Sequence, residues 1–186
     1  PQLCGRQDAI AAVGAPYQLA AADRHPQRRL PHRVVAAVAA EAGGQAPVAG
    51  TVQRVQLSAD GTQVLFVADA ANLGVGDSNF AADAFVKNLA TGAIQRASTQ
   101  AGGVEVGTAV EGVAMSADAR HVAFVHQAAL VAGDTNGLRD IYVKDLATGA
   151  VQRATLGADG SQPGGGTLFL QAISADGQHV AFRTAD

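Results

Sequence analysis

The sequence predicts an all-β fold in which four-stranded antiparallel units repeat every 58 residues, like the blades of a β-propeller. Three observations support this prediction. The turn sequence Ser-Ala-Asp-Gly at 58–61 recurs at 116–119, with Ala in its last position, and again at 174–177. The segment 85–98 is matched by 142–155. Residues 51–186 show no sustained 3.6-residue period of apolar positions, so helices are not expected there.

The first two strands of each unit flank the Ser-Ala-Asp turn. Residues 52–57 and 109–115 mix apolar and polar side chains, as a first strand does. Asp or Ser caps such a turn and Gly takes positive φ. Because Ala119 replaces that Gly in the second unit, we expect a different turn conformation there. The second strands, 63–68 and 121–126, place a Phe and the Val two residues before it on one face.

The third and fourth strands follow a longer polar loop. The third strands span 83–89 and 140–146, and Thr-Gly then makes a tight turn into the fourth strands at 93–98 and 150–155. The match in this half of the unit is offset by 57 residues instead of 58, so one residue was lost before it and one was regained after it. Two changes that restore the period indicate duplicated units of constrained length.

These motifs resemble the repeat of the TolB-like β-propeller family, whose blades carry a Ser-Pro-Asp-Gly turn and an Asp-Ile-Tyr-Val…Asp-Leu…Thr-Gly stretch. Residues 140–149 read Asp-Ile-Tyr-Val-Lys-Asp-Leu-Ala-Thr-Gly, and the resemblance covers residues 50–186. The chain departs from it at Ala59, Ala117 and Ala175, where the family prefers Pro. The resemblance implies a periplasmic or secreted bacterial protein that contacts a protein or glycan partner through loops at one end of the ring.

The repeat divides the chain into five segments. Residues 50–107 and 108–165 are whole blades, and 166–186 is the first half of a further blade. Residues 34–49 are a candidate remnant of a preceding blade, and 1–33 form a divergent segment rich in Ala, Arg and Pro. A closed ring of four to eight such blades needs about 230 to 460 residues. We therefore expect an incomplete ring, either as a fragment of a longer protein or with self-association through exposed blade faces.

Composition and charge exclude several classes of protein. The formal net charge of −3 gives no reason to expect a nucleic-acid partner. The single cysteine excludes an intrachain disulfide framework and a multi-cysteine zinc site. No apolar stretch reaches the length of about 18 residues that a membrane-spanning helix needs.

No catalytic or cofactor-binding residue is predicted, so the chain is not expected to be an enzyme. The sequence contains no Gly-x-Ser-x-Gly nucleophile elbow. His121 and His179 occupy the same repeat position, which predicts that both face solvent. His126 lies near a strand end and is predicted to be a surface residue as well.

The loop before each third strand carries the candidate metal ligands, which are Asp77, Asn79, Asp83, Asp134, Asn136 and Asp140. Both loops read Asp-x-Asn-x-x-x-Asp, and oxygen ligands at the first, third and seventh positions allow a loop to enclose a hard cation such as Ca²⁺. The alternative is structural, because Asp and Asn also cap turns by accepting hydrogen bonds from nearby backbone amides. Calcium would here make the loops rigid and would take no part in a reaction.

The sequence thus predicts a non-catalytic propeller scaffold for protein or glycan binding. Two alternatives stay open. Similar propellers precede the catalytic domain of some serine peptidases, and a nucleophile elbow elsewhere in the gene would identify this chain as the propeller portion of such a hydrolase. The second alternative is an inactive gene fragment. In that case the isolated chain would not be soluble with a cooperative melting transition.

Overall fold

A computed structural model describes residues 51–69, 73, 78–162, 164 and 167–185. The predicted segments 1–33 and 34–49 lie outside the described residues. The strands are β1 Val52–Leu57, β2 Gln63–Ala68, β3 Asp83–Asn88, β4 Ile94–Arg96, β5 Val113–Met115, β6 His121–His126, β7 Asp140–Asp145, β8 Val151–Arg153, β9 Thr167–Ile173 and β10 Val180–Ala185. The helical structure of the described residues consists of one 3₁₀ turn at Ala101–Gly103, and they contain no helix able to span a membrane.

The strands form two four-stranded antiparallel sheets and one two-stranded sheet. β1–β4 pair in chain order and make the first blade, and β5–β8 pair in the same order and make the second blade. β9 and β10 pair with each other and make the terminal hairpin. These sheets do not close into a ring within the described residues, so the prediction of an all-β partial propeller is confirmed.

The central strands β2 and β6 are buried on both faces. In β2, Val64 and Phe66 belong to one core cluster, whereas Leu65 and Val67 belong to another that also contains Phe124 of the second blade. The sequence pattern predicts a single buried face for this strand. The second face is buried as well, because the next blade stacks against it.

The terminal hairpin packs against the free face of the second blade. Val125 of β6 and Leu168 of β9 share a core cluster, with Val180 of β10 packed beside it. At one end of this interface the turn at 174–177 approaches so closely that a Cβ atom on Gly177 would overlap the imidazole ring of His121. A glycine at this position thus permits the hairpin to pack closely.

The three Ser-Ala-Asp turns are adjacent and are joined by backbone hydrogen bonds. The Ala59 N–H donates to the Ala117 carbonyl oxygen at 2.9 Å, and the Ala117 N–H donates to the Ala175 carbonyl oxygen at 3.1 Å. Proline, which the TolB-like repeat prefers at these positions, has no N–H to donate. The alanine departures therefore supply the donors of this series of hydrogen bonds, which we call the turn ladder.

The prediction of a different turn conformation at Ala119 is wrong. Its φ of 58° matches the 70° of Gly61 and the 73° of Gly177. Its N–H donates to the Ser116 carbonyl at 3.0 Å, as the Gly61 N–H donates to that of Ser58. The Ala119 methyl group is buried in the core cluster between the blades. Its burial contributes about 0.8 kcal/mol, which offsets much of the roughly 1 kcal/mol that a left-handed conformation costs a non-glycine residue.

Two of the three predicted surface histidines are covered. His126 is 0% exposed, its Nε2 lies 2.8 Å from the Thr108 carbonyl oxygen, and its Nδ1 accepts a hydrogen bond from the Ala128 N–H at 2.9 Å. The side chain of His121 is only 15% exposed, because the terminal hairpin lies against it. His179 is exposed, as predicted.

We expect Phe124→Ala to lower the free energy of unfolding by about 3–5 kcal/mol, because the ring is fully buried. Phe182 holds the equivalent position in the terminal hairpin and is 39% exposed, so Phe182→Ala is a matched control that should cost less than about 1 kcal/mol. Chemical denaturation followed by circular dichroism measures both losses. Equal losses would contradict the packing described for β6.

A second pair of variants tests the packing of the terminal hairpin. Gly61 and Gly177 share positive φ, but a Cβ atom on Gly61 meets no atom within 4 Å. Gly61→Ala should therefore cost only the strain of its φ, about 1 kcal/mol. Gly177→Ala should in addition displace the hairpin from His121 and raise amide hydrogen exchange in β9 and β10. Similar exchange in the two variants would mean that the hairpin does not dock where the structure places it.

Candidate functional site

All the long connections of the two blades lie at one end of the arc, which we call the long-loop end. Strands 2 and 4 of each blade run in the same direction, because neighbouring strands are antiparallel. The connections that follow them, β2–β3, β4–β5, β6–β7 and β8–β9, therefore start at this end. The opposite end, the turn end, carries the Ser-Ala-Asp turns and the Thr-Gly turns. Loops raised on such a rigid scaffold are the usual place for binding residues.

A buried polar cluster ties two loops of the first blade together at the long-loop end. Arg96 Nη1 lies 3.3 Å from Oδ2 of Asp83 and 2.7 Å from Oε1 of Glu105. The Ser98 hydroxyl donates to the other oxygen of Asp83 at 2.5 Å. Glu105 in turn accepts from the backbone N–H of Ser78 at 2.9 Å and from its hydroxyl at 2.6 Å. The loop before β3 and the loop after β4 are thereby fixed relative to each other.

The second blade repeats this cluster 57 residues later. The Thr155 hydroxyl donates to Asp140, and Arg153 Nη1 lies 3.7 Å from Oδ2 of the same carboxylate. Gln162 replaces the glutamate: its Oε1 accepts from Arg153 at 2.9 Å and from the Thr135 N–H at 3.1 Å. Its Nε2 donates to the Thr135 hydroxyl at 2.9 Å. Since both blades build the same arrangement, it belongs to the fold and positions the loops.

A second carboxylate, that of Asp134, takes part in the cluster of the second blade. Asp134 is 6% exposed, its Oδ1 lies 3.2 Å from Arg153 Nη1, and its Oδ2 accepts a hydrogen bond from the Tyr142 hydroxyl. Burial and the adjacent Asp134 carboxylate raise the pKa of Tyr142. Phe85 holds the position of Tyr142 in the first blade and has no hydroxyl to donate. The guanidinium of Arg153 thus lies close to two buried carboxylates, those of Asp134 and Asp140.

The candidate calcium ligands take part in these clusters and in turns. Asn79 Oδ1 accepts from the Ala81 N–H at 2.7 Å, and Asn136 Oδ1 accepts from the Leu138 N–H at 3.0 Å, so both asparagines cap turns. Asp83, Asp134 and Asp140 face arginine guanidinium groups. Asp77 lies outside the described residues. The turn-capping alternative accounts for the two asparagines, and calcium binding stays a prediction.

Sequence reasoning missed the arginines and their partners. Arg96 and Arg153, Ser98 and Thr155 all lie in the matched segments Gln-Arg-Ala-Ser and Gln-Arg-Ala-Thr, so the repeat marks them without assigning a role. Their contact with a carboxylate depends on the pairing of the third and fourth strands, in which Phe85 lies opposite Arg96.

Four large apolar side chains are exposed at the long-loop end. Phe80 is 75% exposed, and the others are Val104, Leu138 and Leu156. Further exposed apolar side chains in the described residues belong to β1 and the terminal hairpin. The other blade carries small or polar residues at the four equivalent positions, which are Gly137, Ser161, Ala81 and Thr99. The repeated fold therefore does not require an apolar side chain at these places.

The backbone of Phe80 supports a special role for this loop. Its φ is 57°, a left-handed value that is unfavourable for a bulky side chain, and Gly137 has a φ of 67° at the equivalent position. A glycine would satisfy this turn at no steric cost. The chain instead holds an exposed phenyl ring in a strained conformation, a feature that tends to occur at functional sites.

Comparison with known proteins shows similarity only at the level of solved structures. No protein-family model matches the chain, and no curated protein sequence matches it. It is similar to the tricorn protease, with 14% identity and a TM-score of 0.45 over 71% of this chain and 11% of that one. It is also similar to the β-propeller domain of the trilobed protease from Pyrococcus furiosus, with 14% identity and a TM-score of 0.44 over 72% of this chain and 34% of that one.

A TolB structure is also among the similar proteins. TolB from Acinetobacter baumannii is 17% identical, with a TM-score of 0.38 over 76% of this chain and 33% of that one. The chain spans about a third or less of each of these three structures.

We expect Glu105→Gln to weaken the acid sensitivity of the fold. The hydroxyl and amide of Ser78, followed by Arg96, lower the pKa of Glu105 to about 2 from an ordinary value of 4.5. A carboxyl group whose pKa is lowered by folding stabilises the folded state. This stabilisation is complete at pH values above the ordinary pKa and is lost as the pH falls towards the pKa of the folded state. The second blade already has Gln162 at this position, so the variant should fold.

Urea denaturation between pH 7 and pH 2 checks this expectation. The variant should lose less stability than the wild type as the pH falls below about 4.5. An identical loss of stability at low pH in the two proteins would contradict the contact between Glu105 and Ser78.

Proposed function

We propose that the chain is a non-catalytic β-propeller scaffold that binds a protein partner through the long-loop end, in the bacterial envelope or the secreted space. The observation that carries this proposal is the set of exposed apolar side chains Phe80, Val104, Leu138 and Leu156, at positions where the other blade is small or polar. The location rests on the TolB-like motifs of the sequence.

Comparison of the two blades distinguishes residues that the fold needs from residues that have another role. Positions that fill the core are apolar in both copies, as Phe66 and Phe124 are. The exposed apolar residues of the long loops are present in one copy only. Exposing apolar surface to water is unfavourable, and such side chains on a rigid support are typical of protein-binding sites.

The polar clusters prepare this surface for binding. Glu105 binds Ser78, and the Asn79 side chain donates to the Val106 carbonyl at 2.6 Å, so the loop of Phe80 is fixed to the loop of Val104. Loops that are already ordered lose little conformational entropy when a partner binds.

The apolar character of the surface favours a protein over a glycan. Three of the four exposed side chains are aliphatic, namely Val104, Leu138 and Leu156. Aliphatic groups gain free energy by burial against other apolar groups, whereas a sugar presents many hydroxyl groups that need hydrogen-bond partners. Phe80 is the aromatic side chain among the four, and aromatic residues are enriched among the side chains that dominate protein interfaces.

Site-specific photo-crosslinking tests the proposal in the source organism with the full-length protein. A photoreactive phenylalanine analogue at 80, 104, 138 or 156 should give adducts with the same partner protein. Matched controls at Thr91 and Thr148, exposed residues of the turn end, should give none. Adducts from both ends alike, or from the turn end alone, would overturn the proposal. A glycan array with wild type and Phe80→Ala tests the glycan alternative.

A further inference from the structure

A groove of about 430 Å³ lies between β4 of the first blade and the β7–β8 turn region of the second. It is bordered by Gly102 and Gly103 of the 3₁₀ turn, by Thr148 and Gly149 of the β7–β8 turn, and by Lys144 of β7. Gly102, Gly103 and Gly149 all have positive φ, and a Cβ atom on any of them would meet nothing within 4 Å. The groove is thus open because glycines form much of its wall.

Lys144 projects into this interface as a buried cation. The residue is 2% exposed, and its Nζ donates to the Thr99 hydroxyl at 2.9 Å and to the Gln100 carbonyl oxygen at 2.8 Å. An ammonium group has three protons to donate, so these two neutral acceptors leave one proton available. Within the described residues Lys144 forms no ion pair, although buried charges in proteins are normally paired.

The other charges near the groove do not compensate Lys144. Arg96 also borders the groove, but its guanidinium is bound to Asp83 and Glu105. No Asp or Glu side chain lines the groove. Burial lowers the pKa of Lys144, and no neighbouring carboxylate opposes that change. The interface therefore contains one positive charge without a counter-ion.

We propose that this groove binds a small anionic ligand through a carboxylate or phosphate group, with the Lys144 ammonium as its counter-ion. The ligand oxygen accepts a hydrogen bond from the third N–H of the ammonium group, and the Thr148 hydroxyl and the open glycine backbones at the rim give further polar contacts. The volume of the groove is that of a small-molecule pocket. Gly103 adjoins Val104 in sequence, but the proposal rests on Lys144 and not on the exposed apolar side chains of the long-loop end.

Ligand-dependent thermal stability and calorimetry test this proposal. The probes are inorganic phosphate, phenyl phosphate, acetate and citrate, each against sodium chloride of the same ionic strength. One or more of them should raise the melting temperature in a saturable way, and the most effective class identifies the group that is bound. Lys144→Met keeps the length of the side chain without its charge and should reduce the affinity at least 10-fold.

Two further variants keep the test decisive. Arg183→Met removes an exposed cation from the terminal hairpin, and it should bind like the wild type although its net charge equals that of Lys144→Met. Thr148→Phe fills the groove from its exposed rim and leaves Lys144 in place, so it should abolish binding even if Lys144→Met does not fold. Equal responses in all variants, or responses no larger than those to chloride, would overturn the proposal.

Discussion

Both faces of the central strands are apolar, and the second blade accordingly lies between two neighbouring sheets. Leu65 and Val67 of the first blade share a core with Phe124 of the second, and Val125 on the opposite face of the same strand shares one with Leu168. The stacking buries the central strands of the two blades and leaves the turn end and the long-loop end accessible, whereas much of β1 and of the terminal hairpin is exposed. All other features of the molecule follow from this division into a buried middle, a turn end and a long-loop end.

The two copies of the blade act as an internal comparison. The Asp–Arg–Ser/Thr cluster occurs in both, so it is part of the folding unit. It also solves a physical difficulty, because a buried carboxylate is stable only when it is paired or hydrogen-bonded. Lys144 differs from Arg96 and Arg153 in this respect, since its ammonium reaches only neutral oxygens. Departures from the repeat, such as Phe80 and Leu138, then identify residues that the fold alone does not explain.

The sequence predicts the architecture well, because strands leave a local signature. β1, β2 and β6 have the predicted bounds, whereas β4 spans Ile94–Arg96 instead of 93–98. It ends early because Ser98 turns its hydroxyl towards Asp83 in place of continuing the ladder.

The site was harder to predict, because its contacts are made between residues distant in sequence. Arg96 is 13 residues from Asp83, and only the register of β3 and β4 brings them together. His126 has a polar side chain near a strand end, which suggests exposure, but the connection that carries Thr108 covers it. Likewise, no local pattern distinguishes the exposed Phe80 from the buried Phe85.

The turn ladder has a consequence for how such a chain can change over time. Main-chain atoms of Ala59, Ala117 and Ala175 set the distance from one blade to the next, independently of which side chains surround them. Insertions, deletions and new side chains can then accumulate at the far end of the sheets without altering the spacing of the stack. The turn end keeps the spacing of the blades constant, and the long-loop end can acquire new binding specificities.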